Sequence, residues 1–239
     1  PRWARRAAAQ LCRRHCVSLF GRWRFDRALA ALEASGHPAL GAYASAPWPT
    51  PDTSAHAAPY LALDFELDGL RKGAHLLQAG WTPFEGTTLR LGDAQSLDIR
   101  SYAELDREAV TIHGIGEERA AQGLPVGEVI HALIMALSGR IMVAHAAGIE
   151  RSALAGAAQS LFGVKLPIRS ICTLTLERQI NPNLVGAEVY RLGATRARYG
   201  LPEYEPHDAL TDALAAAELF QAQLTRLPVG TSLADIEMR

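Results

Sequence analysis

Tyr60-Leu61-Ala62-Leu63-Asp64-Phe65-Glu66-Leu67 alternates without a break, with Leu61, Leu63, Phe65 and Leu67 on one face of an extended chain and Ala62, Asp64 and Glu66 on the other. A period of two predicts a β-strand over residues 60–67. Asp64 and Glu66 leave the same face about 6 to 7 Å apart along the backbone. Two acids on a core strand are costly unless something neutralises them, and a divalent cation does so.

Outward from this strand, residues 74–81 and 87–91 have strand character and are joined by a turn containing Pro83 and Gly86. Val126, Val129, Ile130, Leu133, Ile134 and Leu137 follow the i, i+3, i+4, i+7 rule of an amphipathic helix, which Gly139 stops. Residues 141–144 form a short apolar strand, residues 149–162 a helix stopped by Gly163, and residues 168–171 another short strand. A last long helix starts near Pro206 and buries Leu210, Ala213, Leu214, Ala217, Phe220 and Leu224. Three strands, then helix, strand, helix, strand and helices, describe a mixed α/β fold. The expected architecture is an RNase H-like, mixed five-stranded sheet flanked by helices.

The chain has 239 residues, 49% of them hydrophobic, and a formal net charge of −1. These values exclude general disorder and a uniformly basic nucleic-acid coat. The charge is uneven: residues 1–30 hold eight arginines against the single acid Asp26, a balance of +7 that leaves −8 on the rest. Residues 1–35 are expected to be a basic helical extension with two readings: it holds a nucleic-acid backbone, or, favoured because the +7 and −8 parts are complementary, it docks through Trp3, Leu11, Phe20 and Trp23 on the acidic remainder or a partner. Residues 36–58, with Pro38, Pro47, Pro49 and Pro51, read as a proline-rich linker. The main domain is expected over 59–228, and 229–239 as a C-terminal tail. Cys12, Cys16 and Cys172 are odd in number and lack CxxC spacing, which supports neither disulfides nor a zinc site. With no apolar run of membrane or signal length, no membrane partner and a cytoplasmic location are expected.

Three further positions carry the chemistry. Glu150 falls in the first turn of the helix after residues 141–144, where the helix dipole favours a carboxylate. His207 and Asp212 are five residues apart where the last helix begins. His145, at the end of a buried strand, reads as a satisfied core histidine. Together, Leu63-Asp64-Phe65-Glu66, then Val143-Ala144-His145-Ala146-Ala147-Gly148-Ile149-Glu150, then His207-Asp208-Ala209-Leu210-Thr211-Asp212 resemble the three motifs of the DEDD exonucleases. The match is to the DEDDh, or DnaQ-like, branch, which includes the proofreading epsilon subunit of DNA polymerase III. Thr111-Ile112-His113-Gly114-Ile115 also looks like a segment that family often carries. An overlapping Tyr204-x3-Asp208 fits the tyrosine branch, but Pro206 places Tyr204 ahead of the helix and favours the histidine reading.

The resemblance implies metal-dependent 3′ to 5′ hydrolysis of phosphodiesters at the 3′ ends of single-stranded DNA or RNA, releasing nucleoside monophosphates. Asp64, Glu66, Glu150 and Asp212 would hold two divalent cations, Mg²⁺ or Mn²⁺, with Glu150 acting through water. His207 would be the general base. Phe65, Leu67, His113 and Ile115 would line the nucleotide pocket. A polymerase or a second copy of the chain stays open as a further partner. Three positions depart from the family pattern: Glu150 stands for a usual Asp, Ala146 for a common Asn, and Leu67-Asp68-Gly69 for a frequent Thr-Thr-Gly. These departures motivate an alternative, a nucleic-acid-binding or regulatory module on the same fold with weakened catalysis. An RNase H-like endonuclease, which would cut circular substrates, is a third reading.

Overall fold

The computed structural model describes residues 18–69 and 74–238, with side chains from Trp23 onward. Its helices are α1 (Ser18–Glu33), α2 (Pro38–Ser45), α3 (Arg107–His113), α4 (Glu117–Gln122), α5 (Val126–Leu137), α6 (Gly148–Phe162), α7 (Thr173–Ile180), α8 (Leu192–Arg198), α9 (Ala209–Leu224) and α10 (Leu233–Ile236). The strands are β1 (Pro59–Leu67), β2 (Leu76–Glu85), β3 (Thr88–Leu89), β4 (Gln95–Asp98), β5 (Ile141–Ala144) and β6 (Ser170–Cys172). They form one mixed sheet in the order β3-β2-β1-β5-β6, with β4 also paired to β2. The first two strands are antiparallel, whereas β1, β5 and β6 run parallel, each later connection passing through a helix.

Six strands replace the expected five, because Gln95-Ser96-Leu97-Asp98 is too polar and short to read as a strand yet pairs along the open edge of β2. Pro83 lies inside β2 rather than in the turn. It is tolerated because β4 pairs with residues up to Trp81 and β3 with Phe84 and Glu85, so the missing N–H falls between the two edge partners. The turn itself is built at Gly86, whose φ is 54°.

Both faces of the sheet are covered, which explains the near-continuous burial of β1. Leu61, Leu63 and Phe65 pack with α5 and α6 residues such as Ile130, Leu133 and Leu154. Tyr60 and Ala62, of opposite parity, pack with Ala213, Ala217 and Phe220 of α9. Asp64 and Glu66 share the parity of Ala62 and so face the side of the sheet that α9 covers. Buried Glu177 ties α7, α8 and α9 together, accepting from Asn181 Nδ2 (2.7 Å), Tyr199 Oη (2.8 Å), Gln223 Nε2 (3.0 Å) and Arg198 Nε (3.2 Å).

Three expectations about the flanks are corrected. The segment read as a linker contains α2, because Pro38 sits at the start of the helix, where its missing N–H costs nothing. Leu40 and Tyr43 of α2 enter the core, and Tyr43 Oη donates to Pro167 O (2.7 Å). The segment read as a tail is packed as well: Leu233 and Ile236 are buried, Ser232 and Asp235 form a capping box, and Met238 N donates to Ser170 O (2.8 Å). Arg169 joins the two flanks through Glu237 and Pro49 O. In α1, docking runs through Leu29 and Leu32 in the core and Phe25 edge-on to Trp48, whereas Trp23 is 58% exposed. Trp3 and Leu11 lie outside the described residues, as does the side chain of Phe20. No described helix is long and apolar enough to cross a membrane.

Candidate active site

The site forms where the C-terminal half of β1 meets the first turn of α9. Asp208 caps α9, its Oδ1 accepting from the N–H (3.0 Å) and hydroxyl (3.0 Å) of Thr211. One turn later Asp212 reaches back toward β1. Its Oδ1 accepts from Tyr204 Oη (2.9 Å) and its Oδ2 from the backbone N–H of His207 (2.6 Å). Carboxylate oxygens of Asp64, Glu66 and Asp212 all lie within 4.8 Å of one another. Close approach of α9 to the sheet depends on Gly80, the cross-strand partner of Asp64. A Cβ there would lie 2.1 Å from Leu210 N and 2.2 Å from Ala209 C.

Glu150 stands in the first turn of α6, 4% exposed, with Oε2 buried and unpartnered. It is not one of the three converging carboxylates, but its charge is the largest of those acting on Asp64. Burial first, and then the charges of Glu150, Asp212, Glu66 and Asp208, push the Asp64 carboxyl well above the usual range. Burial, with Asp212 and Asp208, pushes Glu66 up to about 7. Burial pushes Glu150 up to about 8, opposed by its own backbone N–H. Asp212 is raised by burial and held back by the hydrogen bonds from His207 and Tyr204. Clustered hard oxygen donors that repel one another, with the unpartnered Glu150 Oε2 buried nearby, fit hard divalent cations.

His207 adopts φ 72° in the turn before α9, and its side chain is exposed at the mouth of the site, where its charge acts on both Asp212 and His113. Ala146 is the other non-glycine residue with positive φ among those described, at 62°. Alanine tolerates this left-handed conformation poorly, whereas glycine adopts it without a Cβ penalty. Ala146→Gly is therefore expected to stabilise the protein by up to about 1 kcal/mol. A raised urea midpoint at unchanged slope checks it.

The remaining expected contacts separate. His113 is buried, with Nδ1 accepting from Ile115 N–H (3.1 Å) and Nε2 unpartnered. Burial lowers its pKa, against the opposing charge of Asp68. Leu67 is half-buried beside the core. Phe65 and Ile115 lie in the core at 5% and 1% exposure, because the parity of β1 turns Phe65 away from the acids and Ile115 packs with Leu77, Leu105 and Ala120. His145 is saturated, its Nε2 donating to Tyr190 O (2.8 Å) and its Nδ1 accepting from the Thr173 hydroxyl (2.8 Å). Tyr204 contacts Asp212, not Asp208, so the tyrosine-branch spacing does not describe the geometry. Gln78, absent from the sequence reading, accepts from Ala209 N–H (2.9 Å) at the start of α9. A buried glutamine has no sequence signature, since its role depends on what folds over it. A cleft of ≈ 920 Å³ opens beside Asp212 and His207, walled by Tyr190, Leu192, Leu201 and Tyr204.

The family model described as exonuclease, of the RNase T type, matches residues 61–220. No curated protein matches the sequence. Among solved structures, the zinc-bound complex of Escherichia coli exonuclease I with single-stranded DNA is similar at TM-score 0.63 and 15% identity, over 71% of this chain and 41% of that one. This chain thus spans about two fifths of exonuclease I. Exonuclease X in complex with 5′-overhanging duplex DNA gives 0.55 and 22%, over 70% of this chain and 91% of that one. The nuclease domain of 3′hExo, a DEDDh family member bound to rAMP, gives 0.59 and 14%, over 72% and 94%. With Asp64, Glu66 and Asp212 gathered at the junction of β1 and α9 and the family match spanning 61–220, the chain belongs to the RNase T-type exonuclease family.

Proposed function

We propose that this protein is a metal-dependent 3′ to 5′ exonuclease that shortens single-stranded DNA or RNA from the 3′ end and releases nucleoside monophosphates. The observation that carries this reading is the convergence of Asp64, Glu66 and Asp212 within 4.8 Å beside the exposed His207. Asp64, Glu66 and Asp212 would hold the cations, and Glu150, whose charge acts on Asp64, would complete their environment. Two bound Mg²⁺ or Mn²⁺ ions supply charge neutralisation at the scissile phosphate. A ring nitrogen of His207 takes the proton of the attacking water, and its position at the mouth lets it exchange that proton with solvent. Tyr204 Oη and His207 N–H keep Asp212 in one orientation while it holds its charge. The adjoining cleft, with apolar walls, receives unstacked bases, which favours single strands.

Digestion of 5′-labelled single-stranded oligonucleotides with Mg²⁺ or Mn²⁺ tests this. The expected result is a ladder shortening from the 3′ end, absent with EDTA, and an intact circular control. Cleavage of the circle would replace the reading by an endonuclease. Cation binding without any shortening of DNA or RNA would favour the binding-module alternative.

A further inference from the structure

Gln78 is 2% exposed in the middle of β2, and its register partner on β1 is Glu66. Its amide orientation follows from its partners. The backbone N–H of Ala209 can only donate, so Oε1 faces it at 2.9 Å, which leaves Nε2 to donate to Asp98 Oδ1 at 3.0 Å. Asp98, on β4 opposite Gln78, is gripped in turn by Arg119 of α4, with Nε to Oδ2 at 2.7 Å and Nη2 to Oδ1 at 2.8 Å. Bidentate guanidinium–carboxylate geometry fixes orientation as well as distance.

The far ends of this chain of bonds matter for the site. Ala209 is the residue after the cap Asp208 and three before Asp212. Arg119 lies close enough to His113 and Asp208 for its charge to be felt by one and to feel the other. Beside Gln78, Gly80 lets the α9 backbone rest on β2. The strand that faces the acids of β1 thus also grips the helix that brings the third acid.

We propose that Gln78, locked by Asp98 and Arg119, is a positioning residue that sets the start of α9 and thereby the placement of Asp212 against Asp64 and Glu66. The inference rests on the proposed nuclease reading of that site. Its partners are a helix N–H and a carboxylate, so Gln78 acts through Asp212 and touches no substrate. Outer partners that orient metal-holding groups are typically worth 10- to 100-fold in affinity or rate.

The test compares the full chain carrying Gln78→Leu, Asp98→Leu or Asp98→Asn with wild type. Three readouts are taken: kcat and KM on a single-stranded oligonucleotide, Mn²⁺ affinity by calorimetry without substrate, and the urea midpoint. Gln78→Leu is expected to lower kcat about 10- to 100-fold and weaken Mn²⁺ binding about tenfold, with KM changed less than about twofold and the protein still folded. Asp98→Asn keeps the Oδ1 that accepts from Gln78 and Arg119 Nη2 but puts a donor amide where Oδ2 accepts from Arg119 Nε, so it should lose part of the grip and fall between wild type and Asp98→Leu, which should follow Gln78→Leu. Wild-type kcat and Mn²⁺ affinity in Gln78→Leu would overturn the inference, as would a loss accounted for by unfolded protein alone. Should Gln78→Leu fail to fold, the part-exposed Asp98→Leu decides, and an unchanged kcat and Mn²⁺ affinity there overturns it. Wild-type protein that binds Mn²⁺ but shortens no strand removes the nuclease reading while Mn²⁺ affinity still judges Gln78. Wild-type protein that binds no Mn²⁺ overturns both.

Discussion

Gly80→Ala is expected to lower stability by about 3 kcal/mol or more and nuclease activity by about 100-fold. The added Cβ would stand 2.1 Å from Leu210 N and 2.2 Å from Ala209 C. Both are backbone atoms in the first turn of α9, so no side-chain rotation relieves the clash and either β2 or the helix must move by about 1 Å. Movement of β2 strains its pairing with β1, where Gly80 lies opposite Asp64. Movement of α9 carries Asp208 and Asp212 with it, and a misplacement of about 1 Å at reacting groups costs on the order of 100-fold. Urea unfolding and oligonucleotide digestion on the same preparation check both. A variant with wild-type midpoint and rate would show that the helix does not rest on this strand in solution.

Asp64→Asn is expected to reduce hydrolysis by about 10³-fold or more, because losing a charged metal-holding group removes several kcal/mol of transition-state stabilisation. The same change should stabilise the metal-free protein. Asp64 is raised by burial and by four neighbouring acids, so its charged form opposes folding when no cation is present. The pH dependence has a definite sign. Glu66 is held at about 7 and Glu150 at about 8, both above their ordinary 4.5, so the folded state binds protons more tightly than the unfolded state. Their contribution to stability is full below about 4.5 and is lost as pH rises through about 7 and 8. In EDTA the wild-type melting temperature should therefore fall between pH 5 and pH 8, and Mg²⁺ or Mn²⁺ should restore it by binding the native state. The Asp64→Asn protein should melt higher than wild type in EDTA at pH 8 and gain less from the cation. A wild-type melting temperature that rises over that pH range in EDTA, or is indifferent to cation at pH 8, would refute the electrostatic account of the cluster.

Elements with strong periodicity or sharp stops were legible in the residues. The helix over Val126–Leu137 and its stop at Gly139, the strand over Ile141–Ala144, and the helix ending before Gly163 follow from local pattern alone. Segments whose structure depends on a partner were not. α2 reads as linker because its prolines mask one turn-starting proline, and β4 reads as loop because its four residues form a strand only against the edge of β2. The C-terminal residues looked like a tail because four helical residues carry no periodicity, and burial of Leu233 and Ile236 is a tertiary fact.

Within the site, the acids were visible because their type and order along the chain are unusual for core elements. Their supports were not. Gln78 and Gly80 act through contacts with residues 131 and about 130 positions away, distances over which local sequence carries no information. Phe65 and Ile115 pack in the core although each stands next to a motif residue, because side-chain direction, not sequence neighbourhood, decides what a residue touches. The sequence by itself determined the strand that bears Asp64 and Glu66, the order of the elements after it, and the acids and histidine that carry the chemistry, since alternation, helical period and residue type are local properties. Only the tertiary structure decided that Asp212 meets those acids, that Glu150 stands beside rather than within the cluster, and that Gln78 and Gly80 set the helix in place, because packing across the sheet brings together groups that the chain keeps far apart.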